Sequence, residues 1–264
     1  MSAYDFSSPV TQDLTLVPEY GQPTPTLTMA KTLMNNINDM QIVKSLLPIG
    51  SALPDDDPTV FGIQNPWLVA HYGTALDANG VECYAMAIIR QFLCGTAYGI
   101  SGDEDYGSSS ENTYLKTTYY NSLSTEAKSS ISIVTMKLLN NSTQTLSIFL
   151  PSATNLCLET TTATLANQTN GDPWELFGGT ATDSALESRK CARVNAQTAF
   201  TQYITRDTSP VGYPYRWYYA AVNIDGAYFA WSDDSLSSTY LRPAAYILGK
   251  PVSDNAHSGG TGTN

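Results

Sequence analysis

The chain has 264 residues, and its 24 Asp and Glu residues outnumber 13 Lys and Arg residues, which gives a formal net charge of −11. An acidic chain of this kind lacks the basic face that binding to nucleic-acid phosphates or to an anionic membrane requires. The length allows one large domain or two small ones with a buried core.

The N-terminal part of the sequence predicts an extended arm followed by a helix. Residues 1–26 hold four prolines without periodicity, whereas residues 27–47 have an amphipathic pattern. Four apolar residues of this pattern recur at a and d spacing: Ala30, Leu33, Ile37 and Met40. Two interpretations stay open, a helix packed on the domain core or a helix that oligomerises the chain, for example as a trimer.

The first six residues lack the basic and apolar parts of a signal peptide. No apolar run in the sequence approaches 18 residues. We therefore expect neither an export signal nor a membrane span.

The middle of the chain predicts a mixture of strands and helices. An apolar run at residues 83–93 fits either a buried strand or a helix, and a hairpin turn at residues 77–80 precedes it. Residues 158–182 are rich in Thr, Asn and Gly, so they predict a long insertion with little regular structure. The remaining predicted elements are strands at 60–63, 67–72 and 145–150, a loop at 99–110, and helices at 111–120 and 127–131, the second capped near Ser124.

The cysteines and histidines do not indicate a metal or catalytic centre. Four cysteines occur without a C-x-x-C pair, at Cys83, Cys94, Cys157 and Cys191. Of these, Cys83 and Cys94 either form a disulfide or are two small buried residues, and the lack of an export signal favours the second interpretation. The two histidines are His71, expected in the core or in a loop, and His257 in the flexible tail. We expect no zinc site and no cofactor.

Two acidic runs are the candidates for calcium, because hard cations prefer oxygen ligands. They are residues 55–57 and residues 103–105. Neither has the spacing of a calcium-binding loop, so solvated acidic loops are the preferred interpretation and no metal site is predicted.

Residues 216–249 hold an unusual density of aromatic residues and predict three short strands. The first is expected at 216–224 and the second at 227–231, joined by the tight turn Asp225-Gly226. A polar loop then leads to Leu241-Arg242-Pro243-Ala244 and a last apolar strand. Arg242 is predicted to anchor the fold through a buried ion pair.

The order of these late motifs resembles the C-terminal half of C-type-lectin-like domains of the formylglycine-generating-enzyme kind, in the uncharacterised branch found in gut bacteria and their phages. The segments that carry the resemblance are Arg216–Tyr219, Asp225-Gly226, Leu241–Ala244, Tyr119–Lys128 and Ile148–Ala153. It implies an α+β fold with antiparallel strands and a strand at 83–93. It also divides the chain into an arm and attachment or oligomerisation helix at 1–47, a lectin-like ligand-binding domain at 48–250, and a flexible tail at 251–264.

The resemblance implies ligand binding without catalysis. The catalytic cysteine pair of formylglycine-generating enzymes has no counterpart, because no cysteine follows Cys191. The branch is similar to phage receptor-binding proteins that diversity-generating retroelements vary in this late segment. It therefore implies a virion adhesion protein, made in the host cytoplasm and mounted through residues 1–47 on a tail fibre or capsid surface, that binds a host cell-surface glycan or protein.

The expected binding residues are aromatic or polar residues of this late segment, because Tyr and Trp give contact area and Asn and Asp adapt their hydrogen bonds. They are Tyr213, Tyr215, Trp217, Tyr219, Asn223, Tyr228, Trp231, Asp233, Asp234 and Tyr240. The alternatives are a glycan-acting hydrolase that uses Asp225, Asp233 and Asp234 as acid and base, and a structural virion decoration protein without a ligand.

Overall fold

The computed structural model describes residues 24–55, 65–98, 106–138, 143–158, 171–178, 189–193, 196–201, 203–209, 218–222, 228–231 and 239–253. For residues 95–98, 193, 196–199, 208–209, 218–222, 228–231 and 239 the description is limited to the backbone. The statements below concern these residues.

Helices lie mainly in the first half of the chain. They are α1 (Leu27–Asn36), α2 (Met40–Leu46), α3 (Ser110–Tyr114), α4 (Tyr120–Ser122) and α5 (Thr125–Ser130). A π-helical turn, Leu115–Tyr119, joins α3 to α4, and a single 3-10 turn covers Glu175–Phe177.

The described strands are β1 (Ala52–Leu53), β2 (Trp67–Asp77), β3 (Glu82–Arg90), β4 (Cys94–Tyr98), β5 (Val134–Lys137), β6 (Thr143–Leu146), β7 (Ala192–Arg193), β8 (Ala196–Phe200), β9 (Tyr203–Ser209), β10 (Tyr218–Val222), β11 (Tyr228–Trp231), β12 (Thr239–Leu241) and β13 (Ala244–Pro251). A first sheet has the order β13-β3-β2-β5-β6 with β1 beside β2, and a second has the order β11-β10-β9-β12-β4. β7 pairs with β8.

The two sheets share the same pair of chain segments. β3 leads through residues 91–93 into β4, and β12 leads through Arg242 and Pro243 into β13. Because β3 pairs with β13 and β4 pairs with β12, the two segments run side by side from the first sheet into the second. The result is a curled antiparallel sheet with helices, which confirms the α+β class.

The hairpin β2–β3 forms the middle of the first sheet. Its turn is closed by Asp77, whose Oδ1 accepts hydrogen bonds from the backbone amides of Asn79 and Val81, each at 2.8 Å. Gly80 follows with φ of 80°, a conformation that favours glycine. The prediction of a hairpin turn at 77–80 and of a strand in the apolar run after it is therefore confirmed. In the first sheet β3 lies between β2 and β13, and its residues 85–90 are all buried.

The predicted continuous helix at 27–47 is wrong, because α1 ends at Asn36 and α2 begins at Met40. Ile37 has extended backbone, and the Asp39 carboxylate caps α2 by accepting a bond from Gln41 N at 2.8 Å. Asn and Asp favour such caps over helix interiors, which explains the break. Five residues of α1, α2 and the C-cap of α2 are buried in the domain core: Leu27, Ala30, Met34, Val43 and Leu47. The packing of this region on the domain core is thus confirmed.

The remaining predicted elements were located with variable accuracy. The helix predicted at 111–120 spans 110–122, and Ser124 caps α5 by accepting from Ala127 N at 3.0 Å. The strand predicted at 145–150 is shorter and earlier, as β6, with a separate bridge at Phe149. The two aromatic strands are confirmed as β10 and β11 with shorter bounds. The strand predicted at 60–63 lies outside the described residues.

Candidate functional site

The aromatic hairpin β10–β11 forms the outer part of the second sheet. β10 pairs with β9, and β11 pairs with β10 at the end of the described strand order. Tyr219 is directly opposite Trp231 in this pairing, and Val222 is directly opposite Tyr228. The Tyr219–Trp231 pair is at the end of the hairpin away from its turn.

The register separates the predicted binding residues onto two faces. Residues two apart on a strand share a face, so Tyr219 and Trp231 lie on one face and Tyr228 lies on the other. Tyr228 shares its face with Val222 and with Tyr203, the partner of Val222 on β9. The backbone register therefore places Tyr228 on the face opposite to that of Tyr219 and Trp231.

The other predicted binding residues are less well defined by the structure. Tyr240 is half-buried on β12 and pairs with Tyr203, so β9 separates it from the hairpin. Six more lie outside the described residues: Tyr213, Tyr215, Trp217, Asn223, Asp233 and Asp234. The structure therefore brings together one pair from the predicted set, Tyr219 and Trp231.

Strand β9, which supports the hairpin, is buried from Tyr203 to Asp207. Arg206 donates to the carbonyl of Leu150 and to Asn155 Oδ1, both at 2.9 Å. The Asp207 carboxylate accepts from the amide of Ala153 and from the Thr205 hydroxyl. Burial raises the pKa of Asp207 and lowers the pKa of Arg206, although each opposes the other's shift. This buried network fixes β9 to residues 150–155.

Arg242 is buried, as the sequence predicted, but the partners of its guanidinium are not carboxylates within the described part of the chain. Its Nε donates to the carbonyl of Arg90 at 3.0 Å and its Nη1 to the Tyr203 hydroxyl at 3.3 Å. Its guanidinium carbon also lies 5.5 Å from the ring centroid of Phe177. Arg242 therefore joins the first sheet to the strand that supports the hairpin, while its predicted ion pair is not formed with these groups.

Arg90 is the centre of a second buried cluster, which bears on the calcium hypothesis. Its Nη2 is 2.5 Å from the carboxylate of Asp55, its Nε donates to the Tyr119 hydroxyl at 2.7 Å, and it stacks on the Trp67 ring at 4.0 Å. Trp67 Nε1 also donates to Asp55 at 2.9 Å. Because its carboxylate is occupied by these donors, Asp55 is a structural ion-pair partner rather than a calcium ligand.

Sequence reasoning missed a cluster of ionisable side chains beside β2. Lys44 Nζ lies 2.5 Å from Glu175 Oε2, and His71 Nδ1 lies 3.6 Å from Glu175 Oε1. Asp172 also acts on His71 electrostatically. The four residues come from α2, β2 and the segment 171–178, so their separation in sequence hides the cluster. The only available signal was His71, an ionisable residue within an apolar strand.

Burial is the main influence on the imidazole in this cluster. The side chain of His71 is 18% exposed. Its pKa is lowered from the usual 6.5, chiefly because burial disfavours the charged form, although Glu175 and Asp172 oppose this effect. Lys44 adds to the lowering. His71 is therefore predominantly neutral at neutral pH.

All four cysteines are free and buried. Burial raises the pKa of Cys94 to about 12 and also raises the pKa of Cys191, which makes both thiols poor nucleophiles. In the described part of the chain there is no group of three or more His, Cys, Asp or Glu residues placed to hold a metal ion. Among the described helices, none has the length and apolar character needed to cross a membrane.

Comparison with known proteins identifies the family of the chain. Residues 87–248 match the family described as a domain of unknown function, DUF6273, and the chain belongs to this family. No curated protein and no solved structure matches the chain. The matched region begins within β3 and ends within β13, so it includes the whole second sheet.

Proposed function

We propose that this protein is a non-catalytic binding module of a virion surface, on a phage tail or capsid, and that it attaches to a glycan or protein on the host cell through a C-type-lectin-like fold. The ligand-binding face contains Tyr219 and Trp231. The neighbouring segments 210–217 and 232–238 supply the remaining aromatic and polar contacts.

The observation that supports this proposal is the position of the Tyr219–Trp231 pair. Segment 210–217 immediately precedes β10, and segment 232–238 immediately follows β11. Both segments therefore join the hairpin at the end where Tyr219 is opposite Trp231. In this proposal Tyr213, Tyr215, Trp217, Asp233 and Asp234, which belong to these two segments of the sequence, contribute to the same binding face.

The strand beside the hairpin is held by a buried network. Strand β9 is held by Arg206, Asp207 and Arg242, as described above. Binding to preorganised aromatic side chains loses less conformational entropy than binding to a loop that must become ordered. A buried β9 paired with an aromatic hairpin therefore suits recognition.

Tyr228 has a different role in this proposal. It shares a face with Tyr203, which is fully buried and donates a hydrogen bond to the Arg189 carbonyl at 2.8 Å. We place Tyr228 on the side of the hairpin that packs on the domain. Tyr240 and Asn223 lie at the margins of the binding surface rather than at its centre.

Attachment to the virion uses residues 1–47, with the protein as a homo-oligomer. The apolar face of α1 is buried in its own domain, so self-association would use residues 1–23 and the outward face of α2. On that face Ile42 is 48% exposed and Leu46 is 50% exposed. Sedimentation of the full-length protein as a monomer would count against this part of the proposal.

The proposal is tested by comparing two variants in a binding assay on candidate host cells, with glycan and surface-protein arrays to identify the ligand. The double variant Tyr219→Ala/Trp231→Ala should lose attachment. Truncating one aromatic hot spot costs about 2 kcal/mol or more, and about 1.4 kcal/mol corresponds to a tenfold change in affinity. The melting temperature of the double variant should stay close to that of the unmodified protein.

Tyr228→Ala is the matched control, because it removes an aromatic side chain from the same hairpin on the opposite face. It should lower the melting temperature and leave the affinity of the folded fraction unchanged. Loss of affinity in Tyr228→Ala, together with full binding by the double variant, would reverse the assignment of the two faces.

The glycan-acting hydrolase is the competing proposal. Its candidate acids, Asp225, Asp233 and Asp234, lie outside the described residues. Incubation with host-surface glycans separates the two, because a hydrolase releases new reducing ends and a binding module does not. A decoration protein without a ligand would give neither binding nor cleavage.

A further inference from the structure

We propose that residues 171–178 form an acid-sensitive latch, in which protonation of His71 weakens the docking of this segment against β2. The segment lies between residues 159–170 and 179–188 in sequence, so its docking fixes one point between these two stretches. The inference is independent of the ligand-binding proposal.

One side of the segment is held by apolar contacts and neutral hydrogen bonds. Trp174 and Phe177 are both fully buried. Asn155 Nδ2 donates to the backbone carbonyl of Asp172 at 2.9 Å. The backbone carbonyl of Asn155 accepts from the amide of Trp174 at 3.1 Å. These contacts do not change with pH between 5 and 8.

The other side of the segment is held by charged groups. Glu175 contacts Lys44 of α2 at 2.5 Å and lies 3.6 Å from Nδ1 of His71. A Cβ added at Gly73 would stand 3.1 Å from His71 Nε2 and 3.8 Å from Asp172 Oδ2, so these two atoms border the same space. Glu175 therefore lies close to Nδ1 of the imidazole, and Asp172 borders the space beside Nε2.

The charged and titratable groups around His71 come from each element packed against it. The segment supplies Glu175 and Asp172, α2 supplies Lys44, and β2 supplies Tyr72. On β3 the residue paired with His71 is Ala87, which carries no charge. Burial raises the pKa of Tyr72, so this phenol stays neutral in the relevant interval. Imidazole is the side chain whose ordinary pKa, about 6.5, falls between pH 5 and 8.

The direction of the effect follows from proton linkage. Burial lowers the pKa of His71 in the docked state, so the undocked state binds a proton more readily. The contribution of neutral His71 to the docking of segment 171–178 is therefore complete above about pH 6.5, the ordinary imidazole pKa. It declines as the pH falls from there through the lower pKa that His71 has in the docked state. Attraction to Glu175 and Asp172 reduces this loss without reversing it.

Hydrogen–deuterium exchange of the full-length protein, corrected for the intrinsic effect of pH, tests the latch between pH 7.5 and pH 5.0. The protection of amides in 171–178 from exchange should fall as the pH is lowered. The fall should be up to tenfold for each pKa unit by which the pKa of His71 in the docked state differs from that in the undocked state. Amides of β3 should keep their protection. Unchanged protection in 171–178 would overturn the proposal.

The chain offers a matched control, since it has only two histidines. The variant His71→Gln should remove the pH response of segment 171–178, whereas His257→Gln should respond like the unmodified protein. A response that persists in His71→Gln, or that disappears in His257→Gln, would contradict the latch.

A second measurement does not depend on the folding of His71→Gln. Histidine NMR signals of the unmodified protein are assigned with the His257→Gln variant. The exchange midpoint in 171–178 should then follow the titration of His71, at a pH below the ordinary imidazole pKa of about 6.5. A midpoint that does not follow His71 would overturn the proposal.

Discussion

Single residues determine how closely the N-terminal helices approach the sheet. A Cβ added at Gly249 on β13 would stand 2.5 Å from the backbone carbonyl oxygen of Met34, a distance that real Cβ atoms do not show. Lys31 Nζ also donates to the carbonyl of Leu248 at 2.9 Å. The absence of a side chain at Gly249 therefore allows α1 to lie directly on β13.

Gly249→Ala should lower the free energy of unfolding by about 1–3 kcal/mol, the typical cost of overpacking, because backbone on both sides must shift. Urea denaturation at fixed pH measures the effect. Lys250→Ala is the control in the same strand, and a change at such a partly exposed residue usually stays within about 0.5 kcal/mol. Equal midpoints for Gly249→Ala and the unmodified protein would show that α1 does not pack in this position.

Residues of the interior were the hardest to assign from sequence. The sequence predicted a buried role for Arg242, but it predicted a carboxylate partner where the structure has a carbonyl and the Tyr203 hydroxyl. It assigned Asp55 to a solvated acidic run, whereas the buried Arg90 binds its carboxylate. Such partners are distant in sequence, and nothing in local composition pairs them.

At the scale of elements, local signals located turns and caps well. Asp77 and Gly80 identified the β2–β3 turn, and Ser124 identified the start of α5. The break between α1 and α2 was missed because the a/d spacing was given more weight than the cap formed by Asp39. The division of the hairpin residues between two faces depends on register, which a period-2 pattern alone leaves uncertain by one residue.

The packing of α1 and α2 predicts the effect of truncating the chain. Removal of residues 1–47 deletes four large apolar side chains that are 0–1% exposed, those of Leu27, Met34, Val43 and Leu47, together with the buried Ala30. Burying one Leu, Val or Met side chain contributes about 1.5–3 kcal/mol. The sum is comparable to the total stability of a typical domain, about 5–15 kcal/mol. We therefore expect the 48–264 fragment to be unfolded or aggregated.

Removal of residues 1–23 is the matched comparison, because the packing contacts of the N-terminal helices begin at Leu27. Its melting temperature should stay near that of the full chain. Thermal unfolding followed by circular dichroism measures both. A 48–264 fragment that melts like the full-length protein would show that α1 and α2 are not part of the core.

At the scale of the whole molecule, one architectural feature connects the fold to the proposed function. The segments β3–β4 and β12–β13 run side by side through both sheets. Arg242 lies where they pass from the first sheet to the second, and it joins this point to β9. The family match covers this arrangement from residue 87 to residue 248. The hairpin β10–β11 is carried at the outer end of the second sheet. The order of the late motifs allowed its two strands to be predicted. The curled sheet, in contrast, depends on pairings between residues up to 168 positions apart, such as Pro251 with Cys83.

The most direct measurement of the central claim is a hydrogen-exchange footprint of the full-length protein with and without the host-cell ligand identified by the binding screen. The account predicts increased protection in peptides covering residues 213–240, with residues 159–188 unchanged. Protection confined to residues 159–188, with none across β10 and β11, would contradict the assignment of the binding face to Tyr219 and Trp231.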